Sequence, residues 1–247
     1  VNLDGITIDA VHGGSKSAGV TTNTNVVLNS GTVTSAYGAG YDVGVTNAKV
    51  TQNSANVTNI YGGTEGAFNN SSETTNATVN INGRVTNVYG GNLGKGLAKN
   101  TTINISGTAT VTGKLYGGGY QSDIGKSGNT GSATINISGG QIRKDVVGGS
   151  ERGTVYGTTN INIGKSAVTD STLTAGNIYI GGNIYGAGDD INTNYSKDTV
   201  KGSTHVTLDN SNMASKISFE NSIFGAGNGA NYSSTGSTEY NTCRKAH

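Results

Sequence analysis

The stretch TINISGTATVTGKLYGG, residues 102–118, contains the two patterns that decide the fold. Its first part, Thr102-Ile103-Asn104-Ile105, alternates polar and apolar side chains, as a strand with one buried face does. Its last part, Leu115-Tyr116-Gly117-Gly118, places an apolar and an aromatic residue before two glycines. Because polar and glycine residues separate the two parts, the stretch predicts two short strands joined by a turn.

The second pattern recurs along the whole chain, and we call each copy a tag. A tag is an apolar residue, an aromatic or bulky residue, a glycine, and then glycine or alanine. The first glycines of successive tags lie 24 to 39 residues apart, and the interval grows toward the C-terminus. The eight tags are Val11-His12-Gly13-Gly14, Ala36-Tyr37-Gly38-Ala39, Ile60-Tyr61-Gly62-Gly63, Val88-Tyr89-Gly90-Gly91, Leu115-Tyr116-Gly117-Gly118, Val146-Val147-Gly148-Gly149, Ile184-Tyr185-Gly186-Ala187 and Ile223-Phe224-Gly225-Ala226.

Copies of the alternating pattern precede most tags, for example Ala77-Thr78-Val79-Asn80-Ile81 and Thr134-Ile135-Asn136-Ile137. One such unit cannot bury its own apolar stripe, whereas stacked units bury a continuous column. We therefore predict an all-β, single-domain parallel β-helix (solenoid) of about eight coils over residues 1–230, with 24–39 residues per coil. Residues 231–247 are expected to be a C-terminal cap, linker or tail. An antiparallel sandwich also has short strands and turns, but it does not require a tag in every unit.

The composition excludes several other classes of protein. Glycine accounts for 41 of 247 residues and proline is absent, which rules out collagen. The many Val, Ile and Thr residues and 12 tyrosines argue against disorder. A net charge of +1 gives no electrostatic reason to expect nucleic acid or an anionic membrane as partner. No apolar run reaches the roughly 18–20 residues of a spanning helix, so we expect no membrane insertion in this segment. The single Cys243 leaves no internal disulfide.

The repeats resemble those of large bacterial cell-surface, adhesin-like proteins. The resemblance rests on Ile135-Asn136-Ile137-Ser138-Gly139-Gly140 and on the tags, and it covers roughly residues 1–230. Such proteins are poor in proline and cysteine, rich in Gly, Asn and Thr, and are expected to form right-handed parallel β-helices. The resemblance implies an extracellular or cell-surface location and a place within a longer surface protein. It supplies no ligand-binding residues, because one scaffold serves many functions.

The aromatic residues of the tags form a column, which we interpret as a structural ladder of stacked rings. If the column were exposed, it would instead be a platform for sugar rings. Val147 replaces the aromatic residue in one tag, which suits packing better than recognition. The column contains Tyr37, Tyr61, Tyr89, Tyr116, Tyr185 and Phe224.

The loops that follow the tags carry most of the distinctive side chains, and a rigid scaffold usually binds through such loops. The candidate ligand-binding residues are Tyr120, Asp123, Glu151, Arg152, Asp189, Asp190, Tyr195 and Asp198. Asp189 and Asp190 lie in an oxygen-rich segment that also suits calcium. We nevertheless expect a solvated loop there and no cofactor.

The sequence offers no catalytic constellation. Its three histidines, His12, His205 and His247, have no partner at a fixed spacing, and we assign no catalytic residue. We expect a non-enzymatic, adhesin-like binding or spacer module that recognises host glycans or matrix proteins through loops on one edge. Two alternatives stay open. One is a polysaccharide lyase or hydrolase on a β-helix scaffold, and the other is an ice-binding protein that uses regular rows such as Thr102, Asn104 and Ser106.

Overall fold

The structure is a computed structural model of the 247-residue chain. It describes residues 1–19, 22–66, 73–128, 130–164, 176–189, 199–210 and 216–228. These ranges contain strands and no helix. The strands are β1 (Asn2–Leu3), β2 (Ile6–His12), β3 (Asn23–Leu28), β4 (Gly31–Tyr37), β5 (Asn47–Gln52), β6 (Asn56–Tyr61), β7 (Glu73–Ile81), β8 (Arg84–Tyr89), β9 (Leu97–Ile105), β10 (Thr110–Val111), β11 (Leu115–Tyr116), β12 (Asp123–Ile124), β13 (Ser132–Ile137), β14 (Gly140–Ile142), β15 (Val146–Val147), β16 (Thr158–Gly164), β17 (Ile178–Ile180), β18 (Ile184–Tyr185), β19 (Thr204–Asp209), β20 (Ile217–Phe219) and β21 (Ile223–Phe224).

The strands form two sheets, and the chain alternates between them. The first sheet has the order β1-β3-β5-β7-β9-β13-β16-β19, with β12 also paired to β9. The second sheet contains β2, β4, β6 and β8, followed by the short pairs β10/β11, β14/β15, β17/β18 and β20/β21. Neighbouring strands pair in parallel throughout both sheets.

This topology is a parallel β-solenoid, so the predicted fold class is confirmed and the antiparallel sandwich is wrong. The solenoid has about six turns that lie between a first and a last rung, whereas the tags predict eight coils. We number the coils by their tags and count the loop after a tag with the same coil, so coil 1 contains Gly13, Gly14 and the loop that follows them, and coil 8 contains Gly225 and Ala226.

Strand register superposes equivalent residues of successive repeats. Ile103 pairs with Val79 in the coil before and with Ile135 in the coil after, and all three side chains are fully buried. Columns of this kind from the two sheets meet in one hydrophobic core. Because burying a Val or Ile side chain contributes about 1.5–3 kcal/mol, stacking these columns is the main driving force for the fold.

The first glycine of each tag lies where successive coils approach closely. In coils 1 to 7 its N–H donates to the carbonyl oxygen of the ladder residue in the next coil, over 2.8–3.1 Å. A Cβ added at any of these glycines would lie only 2.1–2.5 Å from the carbonyl oxygen of the next tag glycine. None of these glycines has a positive φ. The requirement for glycine is therefore steric, which explains its abundance in the tags.

The outer face of the first sheet carries ladders of side-chain amides. Asn104 donates to Asn80 over 2.8 Å, Asn136 donates to Asn104 over 2.9 Å, and Asn162 donates to Asn136 over 2.9 Å. Asn136 is only 3% exposed although its side chain lies on the outer face. The asparagine rows thus hold successive coils in register.

In the second sheet, coil 5 has one residue more than coil 4 between two paired positions. Val85 pairs with Val111 and Val88 pairs with Leu115, so coil 5 has one residue more between the two paired positions. An additional residue in one strand is a β-bulge, which bends the strand and redirects side chains. The bulge includes Lys114, whose side chain reaches the site described below.

Candidate functional site

The aromatic residues of the tags stack as a ladder outside the main core. Stacked centroids lie 4.7–5.5 Å apart with planes 6–11° from parallel. The tyrosines are buried, and each is 3–6% exposed. The faces of the tyrosine rings are thus covered, and these rings offer only their hydroxyl edge for recognition. Phe224, at the last rung, is 44% exposed. The stacked pairs are His12–Tyr37, Tyr37–Tyr61, Tyr61–Tyr89, Tyr89–Tyr116 and Tyr185–Phe224.

A second column runs beside the hydroxyl edge of the ladder. It consists of the third residue after the first glycine of each tag, and we call it the loop column. Where its backbone hydrogen bonds are observed, the N–H donates to the preceding coil over 2.9–3.3 Å. The start of each loop therefore stays in register, and differences in loop length come later. The loop column contains Lys16, Tyr41, Glu65, Leu93, Tyr120, Glu151, Asp189 and Asn228.

The acidic residues of the loop column reach back two coils to the ladder. The Tyr89 hydroxyl donates to Glu151 Oε2 over 2.6 Å. The Tyr116 hydroxyl lies 2.8 Å from both carboxylate oxygens of Asp189. In coil 1, where the ladder residue is His12, its Nε2 lies 2.8 Å from Glu65 Oε2. In all three contacts, a ladder ring in one coil binds the acidic side chain of the loop column two coils later.

Burial raises the pKa of the ladder phenols. The pKa of Tyr37 is raised to about 12, first by burial and then by the nearby Glu65 carboxylate. Burial, followed by its bonded carboxylate, also raises the pKa of both Tyr89 and Tyr116. Burial raises the pKa of Asp189 as well, although the hydrogen bond from Tyr116 acts in the opposite direction. The phenols consequently act as neutral hydrogen-bond donors at ordinary pH.

Five side chains of coils 4 to 6 meet at the ladder edge, and we call them the Tyr120 cluster: Lys114, Tyr89, Tyr120, Glu151 and Arg152. The Tyr120 ring meets Tyr89 edge-on, with centroids 5.9 Å apart and planes at 71°. The Arg152 guanidinium lies 5.8 Å from the Tyr120 centroid, and its Nη1 donates to the Tyr120 hydroxyl over 3.4 Å. Lys114 Nζ contacts Glu151 Oε1 at 2.5 Å. The cluster combines an aromatic ring with two cations and a carboxylate on a partly exposed surface.

The backbone beside Tyr120 and Glu151 has an unusual conformation. Gln121 has a φ of 54° and Arg152 a φ of 61°, and they occupy the same position in consecutive coils. Every other positive-φ residue in the described ranges is a glycine, including Gly66 at the equivalent position of coil 3 with a φ of 66°. Residues other than glycine are disfavoured in this region, and such positions cluster at functional sites.

The structure brings three candidate residues together, since Tyr120, Glu151 and Arg152 all belong to the cluster. Asp123 has a different place, because its Oδ1 accepts the backbone N–H of Thr154 over 2.8 Å. The fifth candidate, Asp189, accepts the Tyr116 hydroxyl in the next part of the ladder. The remaining three candidates lie outside the described residues: Asp190, Tyr195 and Asp198.

Sequence reasoning missed four residues that share this edge of the solenoid: His12, Glu65, Lys114 and Gln121. Counting three residues from each tag glycine would have aligned Glu65 with Tyr120 and Glu151. Counting four would have aligned Gln121 with Arg152. No such count finds Lys114, because the bulge of coil 5 positions it.

The described residues show no clustered metal ligands. Within them, no three side chains of His, Cys, Asp and Glu come together in a way that could hold a metal ion. Asp189, half of the candidate calcium pair, is engaged with Tyr116. In the same ranges, no helix has the length and apolar character needed to cross a membrane.

Fold and site together define a parallel β-solenoid with an internal aromatic ladder and an in-register column of loop residues. Comparisons of the chain with protein-family models, with curated proteins and with solved structures found no match. The structure shows the parallel β-solenoid that the resemblance implies, and the adhesin-like character stays a prediction from the sequence motifs.

Proposed function

We propose that this chain is a non-enzymatic, adhesin-like binding module of an extracellular or cell-surface protein, and that its Tyr120 cluster binds glycans. The observation that carries the proposal is the pair of positive-φ residues, Gln121 and Arg152, beside Tyr120. A left-handed backbone costs a residue other than glycine about 1–2 kcal/mol. At the equivalent position coil 3 has Gly66, so the fold itself accepts glycine there.

The side chains at the two costly positions suit recognition of a sugar chain. Arg152 brings a planar guanidinium with several N–H donors, and Gln121 brings an exposed amide with both donor and acceptor atoms. Between them and the ladder lies Tyr120, a half-buried ring with a polar tip. An aromatic surface with a few convergent polar groups is the usual composition of a small-ligand site.

The acids along this edge support a binding role over a catalytic one. A glycosidase places two carboxyl groups on either side of the scissile bond. Glu151 instead accepts the Tyr89 hydroxyl and pairs with Lys114, and Asp189 accepts the Tyr116 hydroxyl. Both carboxylates are thereby used to fix the ladder.

The partner class follows from charge and architecture. A net charge of +1 gives no electrostatic attraction for nucleic acid. A rigid solenoid with its polar column along one edge is suited to display a binding surface away from a cell. Host glycans are the partners that we propose, and matrix proteins are the competing partners in the test.

The test is a binding screen of the full chain against glycan and matrix-protein arrays, followed by the substitution Arg152→Gly. Because glycine accepts a φ of 61°, this variant removes the guanidinium without backbone strain. We expect glycan binding at least tenfold weaker and a Tm that is unchanged or higher. Arg143→Ala, which removes the same charge from an exposed position directly after β14, is the control and should bind normally.

Three results would overturn the proposal. The first is undiminished glycan binding by the Arg152→Gly variant, which would give the strained residue no role in recognition. The second is binding confined to matrix proteins or absent from both arrays. The third is cleavage of the bound glycan by the chain, which would contradict the non-enzymatic assignment.

A further inference from the structure

The arrangement around Tyr120 occurs a second time on the same edge of the solenoid. In the first copy, Tyr89 of the ladder meets Tyr120 one coil later and Glu151 two coils later. In the second copy, His12 of the ladder meets Tyr41 one coil later and Glu65 two coils later. In both copies the last two residues belong to the loop column.

The two copies match in geometry as well as in position. The centroid of His12 lies 5.7 Å from that of Tyr41 at an angle of 60°, and the centroid of Tyr89 lies 5.9 Å from that of Tyr120 at 71°. The acid contacts are 2.8 Å to Glu65 and 2.6 Å to Glu151. The side chains of His12 and Glu65 are 22% and 25% exposed, so a ligand can reach them.

We propose that His12, Tyr41 and Glu65 form a second glycan subsite, so that the solenoid binds one extended sugar chain along its loop column. This inference rests on the proposed function of the Tyr120 cluster. Three coils separate the subsites, and parallel strands lie about 4.8 Å apart, which places them about 14 Å from each other. A single terminal sugar cannot span that distance, whereas a polysaccharide can.

The surface between the subsites suits a chain that lies flat. The loop-column residue there is Leu93, which packs against the aromatic ladder. It offers the intervening sugar units an apolar contact without a charge. The backbone at this position continues the ladder of hydrogen bonds, since the Leu93 N–H donates to the Thr64 carbonyl over 3.0 Å.

The second subsite should bind more weakly than the first. After Tyr41 and Glu65 the chain has Asp42 and Gly66, where the Tyr120 cluster has Gln121 and Arg152. The second subsite thus has no guanidinium next to the loop column. Once a long ligand occupies the first subsite, its binding to the second subsite is intramolecular. The overall affinity therefore rises although no new kind of contact forms.

The test compares N-acetyllactosamine, a neutral disaccharide too short to bridge about 14 Å, with a long poly-N-acetyllactosamine chain. A neutral glycan is not repelled by the Glu65 carboxylate, which can accept its hydroxyl groups. Isothermal titration of the full chain should show a stronger and a weaker disaccharide site. The polymer should bind at least tenfold more tightly than the disaccharide. Glu65→Gln keeps the size of the side chain and removes the charge that strengthens its hydrogen bonds to sugar hydroxyls. In this variant we expect only the stronger disaccharide site, and polymer affinity close to that of the disaccharide.

Separate results overturn the two proposals. If neither probe binds the unmodified chain, the glycan function of the Tyr120 cluster is wrong and the second subsite with it. If the disaccharide binds at one site and the polymer gains no affinity, only the second subsite is wrong. Tyr41→Ala is the independent check, and far-UV circular dichroism confirms that both variants keep the solenoid. Polymer affinity that survives both substitutions also overturns the second subsite.

Discussion

Replacing Gly148 with alanine tests the reason why each tag begins with glycine. The added Cβ would lie 2.3 Å from the carbonyl oxygen of Gly186 and 3.2 Å from the Thr159 Cβ. To reach ordinary contact, coils 6 and 7 must separate locally by about 1 Å. The hydrogen bond from the Gly148 N–H to the Tyr185 carbonyl is 2.8 Å long, and this displacement would break it.

The magnitude follows from these two effects. Overpacking of a tightly packed interior costs typically about 1–3 kcal/mol. Loss of a buried backbone hydrogen bond adds about 0.5–1.5 kcal/mol. Gly→Ala also stabilises by about 0.4–1 kcal/mol, because it restricts the unfolded chain. We therefore expect the Gly148→Ala variant to lose about 1–4 kcal/mol of unfolding free energy, with a central value of roughly 2 kcal/mol.

The neighbouring glycine provides the matched control. A Cβ at Gly149 would have its nearest contact at 3.2 Å, from the carbonyl carbon of Ala187, and its φ is not positive. Ala187 itself occupies this second tag position in coil 7. Gly149→Ala should therefore change the unfolding free energy by less than about 1 kcal/mol.

Urea unfolding of the full chain, followed by far-UV circular dichroism, measures both variants. Equal m-values are needed to compare their free energies of unfolding. The steric explanation fails if Gly148→Ala is as stable as the unmodified chain, or if Gly149→Ala is equally damaging. The second result would show that the tags need flexible backbone rather than space for the next carbonyl.

Two further predictions concern the phenols of the ladder. Tyr89→Phe removes the hydrogen bond to the Glu151 carboxylate and should cost about 1–3 kcal/mol in urea unfolding. In Tyr61→Phe, whose hydroxyl has no hydrogen-bond partner among the described residues, the change should stay below about 0.5 kcal/mol, and equal losses would contradict the role of Glu151. The pKa of Tyr37 rises from the usual 10.0 to about 12 because burial favours the neutral phenol, so its contribution to stability is complete below pH 10 and is lost between pH 10 and about 12. Absorbance of phenolate at 295 nm, recorded together with circular dichroism, checks this, and Tyr37 ionising near pH 10 with the fold intact would refute it.

The fold could be predicted because its energetics repeat with the sequence. Each coil buries the same apolar positions, so Val79, Ile103 and Ile135 follow one alternating pattern and pair directly. The tag glycines recur because every coil brings its carbonyl equally close to the next. A packing requirement that applies to every coil produces a period in the sequence. Once one unit is identified, the others can be recognised by comparison with it.

The candidate site could be predicted only in part, because backbone register rather than residue type creates it. The loop column holds lysine, tyrosine, acid and leucine in different coils, so no shared chemistry reveals it. Backbone hydrogen bonds define it instead, as at Tyr120 and Glu151. The positive φ of Arg152 and the side-chain direction of Lys114 likewise depend on geometry that composition does not show.

The acid contacts also change how cooperativity should be pictured in this solenoid. Repeat proteins are usually described by contacts between nearest neighbours. Tyr89 and Glu151 are two coils apart, and so are Tyr116 and Asp189, and each contact bypasses the coil between its partners. When the loop of coil 6 opens, the hydroxyl of a buried ring in coil 4 loses its partner, which carries an additional desolvation cost. Coils 4 to 7 are thereby coupled beyond their shared strands, and the Tyr120 cluster lies within this coupled segment. The loops of coils 6 and 7 are thereby tied to rings two coils before them, which adds rigidity to the surface that the Tyr120 cluster forms.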